Sequence, residues 1–240
     1  MSIAGRRANN EDAVCVRPDL GLFVVADGMG GYEGGEVASS LAVQTIETLV
    51  RRTHHDADVT WPYKLDPTRS IVENEVLVAT RLANEQIIAR RHGELREMGS
   101  TVVVLRLEDD QAVIAHVGDS RLYRLRAGIV TQMTIDHSLT AQLEAAGTKP
   151  PVDWAWRHVV TRALGTTTGE PEIQRVDLLD EDVYLLCSDG LSEVLSETQL
   201  ATLMALPVEA ACRALVDAAY ELGSRDNISA VVVRACRRAP

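Results

Sequence analysis

The segment LFVVADGMGG, residues 22–31, decides the fold and points to the chemistry. Five consecutive apolar residues predict a buried strand, and the Asp-Gly pair that follows, with two further glycines, predicts an abrupt change of direction. An acid next to an apolar run recurs in VYLLCSDG, residues 183–190, and in reverse order in RDNISAVVV, residues 225–233. A fourth acidic group, NED at residues 10–12, precedes a shorter predicted strand. Strands with buried centres would carry all four acidic groups to one rim of the protein.

Acids gathered at one rim repel each other unless a positive charge lies among them. The sequence has no block of lysines near these segments. A divalent cation is therefore the simplest source of that charge, since carboxylate oxygens are its preferred ligands. A hydrolytic metal site is the leading hypothesis.

Each acidic group also has a simpler interpretation. Asp-Gly is common in hairpin turns, so Asp27-Gly28 or Asp189-Gly190 alone would favour a turn. Both pairs lead into helical patterns instead of a second strand, which favours the metal site. Glu11 and Asp12 are equally consistent with an exposed helix start, and Asp119 with a turn that Ser120 closes.

Basic and aromatic residues near these segments leave alternatives open. Arg6 and Arg7 precede the first acids; an arginine there suits a phosphate clamp, although a surface position is the simpler interpretation. His116 fits a packed core histidine better than a metal ligand. Trp154 and Trp156 suggest either ordinary loop packing or a lid over a substrate.

Composition narrows the class of protein. The chain has 240 residues and a formal net charge of −11, which argues against a nucleic-acid partner. Its 46% hydrophobic content is enough for a large core. The four cysteines are far apart and form no C-x-x-C pair, so a reducing compartment is expected. Without an apolar run of membrane-spanning length or a signal-peptide pattern, we expect a cytoplasmic enzyme and no membrane partner.

Strand and helix patterns are segregated along the chain, which predicts an α+β protein with antiparallel sheets. Helical periodicity begins after the glycines, again after Ser70, and again near Val208. Between residues 101 and 133, four strand patterns separated by turn residues predict an antiparallel meander. No linker requires a second domain, so residues 1–240 are expected to form one, with a flap segment at about residues 147–162.

Eight motifs, in this order, resemble the metal-dependent serine/threonine protein phosphatases, the PPM family or type 2C phosphatases, in their bacterial branch. They span almost the whole chain: RRANNED (6–12), VVADGMGG (24–31), GST (99–101), AHVGDSRLYR (115–124), TIDHS (134–138), TRALG (161–165), LCSDGL (186–191) and RDNIS (225–229). The resemblance implies a sandwich of two antiparallel β-sheets flanked by pairs of α-helices.

The resemblance also implies a set of site residues. Asp27 would bridge two Mn²⁺ or Mg²⁺ ions, the Gly28 carbonyl would bind one ion, and Asp189 and Asp226 would bind the other. Glu11 and Asp12 would act mostly through metal-bound water. Asp119 and Asp189 would form a weaker third site, and Arg7 would hold the substrate phosphate.

By the same resemblance, the reaction is hydrolysis of phosphoserine and phosphothreonine in proteins by attack of a metal-bridging hydroxide. The partners would be phosphoproteins of a cognate serine/threonine kinase, and we expect a monomer. No cysteine or serine nucleophile is needed. Two alternatives remain: a non-catalytic phosphoprotein-binding regulatory module of the same fold, and a dinuclear hydrolase of small phosphate esters.

The chain departs from the family pattern in two places. Met29 stands where many eukaryotic members have a histidine that is thought to protonate the leaving group, and methionine cannot do so. Only four residues precede Gly5, where relatives usually have another strand, so we expect either that one sheet lacks an edge strand or that the N-terminus is truncated.

Overall fold

The computed structural model describes residues 1–30, 34–56, 59–151 and 154–236. Its strands are β1 (Ser2–Ile3), β2 (Asp12–Arg17), β3 (Leu22–Met29), β4 (Gly99–Ser100), β5 (Val102–Glu108), β6 (Gln111–Val117), β7 (Arg121–Arg126), β8 (Ile129–Gln132), β9 (Glu172–Asp177), β10 (Val183–Cys187) and β11 (Ile228–Arg234). Its helices are α1 (Gly34–His55), α2 (Ile71–Arg90), α3 (Leu139–Ala145), α4 (Asp189–Ser192), α5 (Glu197–Met204) and α6 (Val208–Glu221).

The strands form two antiparallel sheets that pack face to face. One has the order β1-β11-β10-β7-β8, and the other has the order β2-β3-β5-β6-β9, with β4 paired to β3. A layer of buried side chains lies between them, including Phe23 and Ile114 from one sheet and Tyr184 and Val231 from the other. Alternating inward and outward side chains along each strand allow both faces of a sheet to be buried.

Helices cover the outer face of each sheet. Helices α1 and α2 pack on the sheet that contains β3, through residues such as Ile46 and Val76. Helices α4, α5 and α6 cover the other sheet, where Leu200 and Leu215 are buried. Ser70 begins α2 with a capping box, which satisfies backbone donors of the first turn. The predicted α+β sandwich flanked by helix pairs is confirmed.

The hairpin of β2 and β3 places two candidate ligands side by side. Its turn closes at Gly21, whose φ of +59° favours glycine, and its register pairs Asp12 with Asp27. Strand β3 continues past Asp27 to Met29, because β4 pairs with its end. The change of direction predicted at the Asp27-Gly28 pair is therefore misplaced, because the strand continues two residues past Asp27.

The predicted meander is only partly correct. Strand β5 pairs with β6 and β7 pairs with β8, but β6 and β7 belong to different sheets. The chain crosses between the sheets at residues 118–120. Gly118 allows this, because its φ is +103° and an added Cβ would lie 2.6 Å from the Thr101 side chain. The crossing brings Asp119 to the rim that carries the other acids.

An edge strand is present where the sequence suggested that one would be missing. Ser2 and Ile3 form β1, which pairs antiparallel with β11. Two residues with no clear alternation give no strand pattern, which is why the sequence did not reveal it. None of the helices in the described ranges combines the length and the apolar character that a membrane crossing requires.

Candidate metal centre and substrate cleft

Six carboxylates from five places in the chain meet at one rim of the sandwich. Asp12 and Asp27 belong to the β2–β3 hairpin, and Asp119 lies in the crossing between the sheets. Asp189 is the first residue of α4, directly after β10, and Asp226 precedes β11. Glu11 completes the set. The fold thus gathers every acid that the sequence singled out.

Asp27 lies at the centre of this group. Its pKa is raised well above the usual value, first by burial and then by the negative charges of Asp12, Asp189, Asp119 and Asp226. Asp189 is one of the charges that raise the pKa of Asp27, so the two carboxyl groups lie close together. Without a cation, this centre therefore retains protons at a pH where isolated aspartates would be ionised.

Burial also raises the pKa values of four neighbouring carboxyl groups. Burial raises the pKa of Asp12 to about 6, and the charges of Asp189 and Asp226 add to the effect. Burial and Asp189 raise the pKa of Asp119 to about 7. Burial and Asp226 raise the pKa of Asp189 to about 6. Burial also raises the pKa of Glu11, against the positive charge of Arg7.

Gly28 lies where two backbone segments come into close contact. Its N–H donates to the Glu11 carbonyl at 3.1 Å. An added Cβ would lie 2.1 Å from the Gly35 carbonyl oxygen, and one at Gly35 would lie 2.7 Å from the Glu11 carboxyl group. Glycine is needed at both positions, because any side chain would separate the start of α1 from the acids.

The donor set fits divalent cations. The Oδ1 atoms of Asp12 and Asp189 are buried and have no hydrogen-bond partner among the described residues. A buried carboxylate oxygen without a donor is costly unless something positive reaches it. Oxygen ligands in this number and with this net charge suit Mn²⁺ or Mg²⁺.

Arg7 lies at the edge of the acids. Its Nη2 is 2.7 Å from Asp226 Oδ2, and its Nε donates to the Arg225 carbonyl at 3.1 Å. More than half of the Arg7 side chain is exposed, so it can meet a ligand from solution. Asp226 thus touches the phosphate clamp that the resemblance implies.

Two polar residues that the sequence did not single out support the acids. The Ser188 hydroxyl donates to Asp12 Oδ2 at 2.8 Å and accepts the Ser229 N–H at 3.0 Å. Asn227 accepts the Glu11 N–H at 2.8 Å and donates to the Asn9 carbonyl at 2.8 Å. Both connect segments far apart in sequence, so no local pattern could have revealed these contacts.

Among the described residues, Cys187 and Ser188 are not available as covalent nucleophiles, and position 29 offers no proton donor. Cys187 is buried, which raises the pKa of its thiol to about 12, so the nucleophilic thiolate is not formed near neutral pH. The Ser188 hydroxyl is committed to Asp12 and Ser229. The Met29 side chain carries no ionisable proton.

A cavity of about 740 Å³ opens beside the acids. It is lined by Arg7, Arg157, His158, Asp189, Gly190, Glu193, Val194, Gly223, Ser224, Arg225 and Asp226. Of the described residues in the predicted flap, Arg157 and His158 border the cleft, whereas the two tryptophans do not line it. Trp156 is 59% exposed. Val152 and Asp153 of the predicted flap lie outside the described residues.

A second polar cluster lies behind Asp119. His116 is buried, as expected of a core histidine, and stacks on His137 with ring centroids 4.5 Å apart. His137 Nε2 lies 3.1 Å from Glu172 Oε1. Arg162 lies 3.1 Å from the same carboxylate. Because a guanidinium already supplies positive charge there, the cluster offers little attraction to a metal ion.

The chain is similar to several known proteins. A family model described as protein phosphatase 2C matches residues 2–219. The serine/threonine protein phosphatase PstP of Mycobacterium tuberculosis is 33% identical over 232 residues, which cover 94% of this chain. The protein phosphatase PhpP of Streptococcus pneumoniae is 30% identical over 241 residues, which cover 96% of this chain and 94% of PhpP.

The fold has been seen with metal in a relative. The catalytic domain of PstP, solved in complex with two manganese ions, superposes with a TM-score of 0.82 at 32% identity, covering 99% of this chain and 96% of that one. The present chain spans only 42% of the length of full PstP. What the two proteins share is therefore the part that corresponds to the catalytic domain.

Proposed function

This chain belongs to the protein phosphatase 2C family, and from that premise we propose that it hydrolyses phosphoserine and phosphothreonine in proteins with the help of two divalent cations. The observation that carries the proposal is the cluster of half-buried acids with raised pKa values around Asp27, bordered by Arg7 and an open cleft. Mn²⁺ or Mg²⁺ bound there would supply an activated water nucleophile near neutral pH.

We assign the site residues as the resemblance implies. The proposed metal-binding residues are Glu11, Asp12, Asp27, Gly28, Asp119, Asp189 and Asp226, with Asp119 and Asp189 for a weaker third ion. Two unpartnered carboxylate oxygens support this assignment. Residues 1–240 act as a single PPM-type phosphatase domain with a flap at about residues 147–162.

Arg7 binds the substrate phosphoryl group. Its planar guanidinium can meet two phosphoryl oxygens at once and offset the charge that develops on them. The contact with Asp226 holds Arg7 at the mouth of the cleft. The buried Cys187 thiol and the committed Ser188 hydroxyl leave direct attack by water as the route that needs no phosphoenzyme.

Partners and location follow from the proposed reaction. We infer that the substrates are those of a cognate serine/threonine kinase and that the enzyme is cytoplasmic and monomeric. The net charge of −11 argues against a nucleic-acid or anionic-membrane partner, since both would repel it.

Phosphate release from a phosphothreonine peptide should require Mn²⁺. We expect steady release in Mn²⁺ and at least roughly 100-fold less in a chelator, since removing the cations removes the activated water. The measurement is free phosphate against time. Peptide binding in saturating Mn²⁺ without any release would favour the alternative, a non-catalytic phosphoprotein-binding module.

Deletion of Trp154–Arg157 should affect large substrates more than small ones. The deletion removes one wall of the cleft, including Arg157, while the acids remain. We expect kcat/KM for a phosphopeptide to fall by roughly tenfold and that for a small aryl phosphate by less than about twofold, because side chains that bind remote parts of a substrate add to its binding energy. Equal losses on both substrates would rule out a lid that selects the substrate.

A further inference from the structure

Backbone hydrogen bonds hold the C-terminal end of the flap in place. Ser138 and Val160 form an isolated bridge. The Leu139 N–H donates to the Val159 carbonyl at 2.9 Å, and the Thr161 N–H donates to the His137 carbonyl at 2.7 Å. His158 therefore projects from a segment whose following residues are held in place.

Three side chains continue from this anchor across the cleft. The Arg157 Nε–H donates to His158 Nε2 at 2.6 Å, and His158 Nδ1 lies 2.8 Å from Glu193 Oε1. Because Nε2 accepts a hydrogen bond, the ring carries its proton on Nδ1 and donates it to Glu193. The Thr140 hydroxyl also donates to the Arg157 carbonyl at 3.2 Å.

Glu193 connects this chain of contacts to the metal centre. It follows α4 directly, and its N–H donates to the Asp189 carbonyl at 2.9 Å. Arg157, His158 and Glu193 all line the cavity beside Asp189. The link therefore joins the flap to the short helix that begins with a proposed metal ligand.

The same residues form a less convincing metal site. His158, Asp189 and Glu193 each offer a ligand atom within 4.8 Å of the others. A cation on Nδ1 would move the ring proton to Nε2, where the Arg157 Nε–H already donates. Two donors would then face each other, beside a guanidinium charge. The hydrogen-bonded chain fits the observed geometry better.

We propose that Arg157, His158 and Glu193 form a latch that holds the flap over the cleft, with His158 and Glu193 as positioning residues for phosphoprotein substrates. This inference rests on the proposed phosphatase function and extends it to selection of the substrate. Small phosphate esters need only the acids and Arg7, and they do not depend on the latch.

The latch is weak enough to open in each catalytic cycle. The side chains of His158 and Glu193 are 47% and 43% exposed, and at such exposure even a fully charged pair shifts an equilibrium by no more than roughly fivefold. Loss of the latch should therefore raise KM for a phosphopeptide about three- to fivefold and leave kcat within about twofold.

The test compares two substrates in saturating Mn²⁺. Glu193→Ala and His158→Ala should each lower kcat/KM for a phosphothreonine peptide about three- to fivefold, and the double variant should lose no more than either single one, because they share one contact. Activity on an aryl phosphate should change by less than about 1.5-fold. Glu197→Ala, which removes an exposed acid one turn farther along the chain, is the matched control.

Two replacements of His158 distinguish its contact with Glu193 from its contact with Arg157. The amide nitrogen of His158→Asn can occupy the position of Nδ1 and still donate to Glu193, whereas the amide group of His158→Gln reaches only the position of Nε2. KM for the phosphopeptide should stay close to the wild-type value in His158→Asn and should rise in His158→Gln. Multiplicative losses in the double variant, or equal losses on aryl phosphate, would overturn the latch.

Hydrogen exchange tests the latch without relying on activity. Amides of residues 154–161 should exchange faster in Glu193→Ala than in wild type or Glu197→Ala, since the flap opens more often. Unchanged exchange would also overturn the latch. If wild type releases phosphate from neither substrate, the proposed function fails, while the exchange result still decides whether the flap is held by Glu193.

Discussion

The substitution Asp27→Asn should abolish phosphate release and leave a well-folded protein. We expect activity on phosphopeptide and aryl phosphate in Mn²⁺ to fall on the order of 10³-fold or more. An amide oxygen carries no net charge and cannot hold two cations together as a carboxylate does. Four neighbouring aspartates raise the pKa of Asp27, which places it at the centre of the acidic cluster.

We expect this variant to fold as well as wild type, so that its loss of activity can be attributed to the metal site and not to misfolding. In the metal-free state the four acids around Asp27 oppose its ionisation, and a neutral amide at this position carries no charge for them to repel at any pH. The metal-free Asp27→Asn protein should therefore unfold at a temperature at least as high as wild type.

Asp177→Asn provides the matched control, because Asp177 is exposed at the end of β9. It should keep both wild-type activity and wild-type melting temperature. Substantial turnover by Asp27→Asn would contradict a site centred on Asp27. A large drop in its melting temperature would instead mean that Asp27 stabilises the fold.

Most of the fold could be predicted, because strand patterns depend on local sequence. VYLLC forms β10 at the residues expected, and Ser70 begins α2 as predicted. The sheet to which a strand belongs depends on packing between distant segments. The change of sheet at Gly118 requires a close approach to Thr101, and nothing in the local pattern distinguishes that from an ordinary turn.

The acids of the site could be predicted for a similar reason. Each lies at or near the end of an apolar run, and strand ends converge at the rim of a sandwich. The contact of Arg7 with Asp226 spans 219 positions in sequence, and that of His158 with Glu193 joins two loops. Side-chain contacts of this kind have no periodic signal in the sequence, because they form only when distant segments pack together.

The stability of the metal-free protein should fall as pH rises, and Mn²⁺ should restore it. Asp12, Asp119 and Asp189 have pKa values of about 6, about 7 and about 6 in the folded state, compared with about 3.9 for an unfolded aspartate. The folded protein binds these protons more tightly than the unfolded chain. The stabilisation is therefore complete below about pH 4 and is lost as pH rises to about 7.

Cations reverse this trend, because they bind the deprotonated carboxylates of the folded state and compete with protons. The measurement is melting temperature between pH 5 and pH 8, in a chelator and in excess Mn²⁺. The difference between the two should increase with pH, by several degrees in total, since each pKa unit corresponds to about 1.4 kcal/mol. The buried His116 and His137, whose lowered pKa values act in the opposite sense, contribute equally with and without metal and cancel in the difference.

The rise in melting temperature that Mn²⁺ causes could instead be the same at pH 5 and pH 8. The cations would then not replace protons on these acids, and the proposed metal centre would have to lie elsewhere.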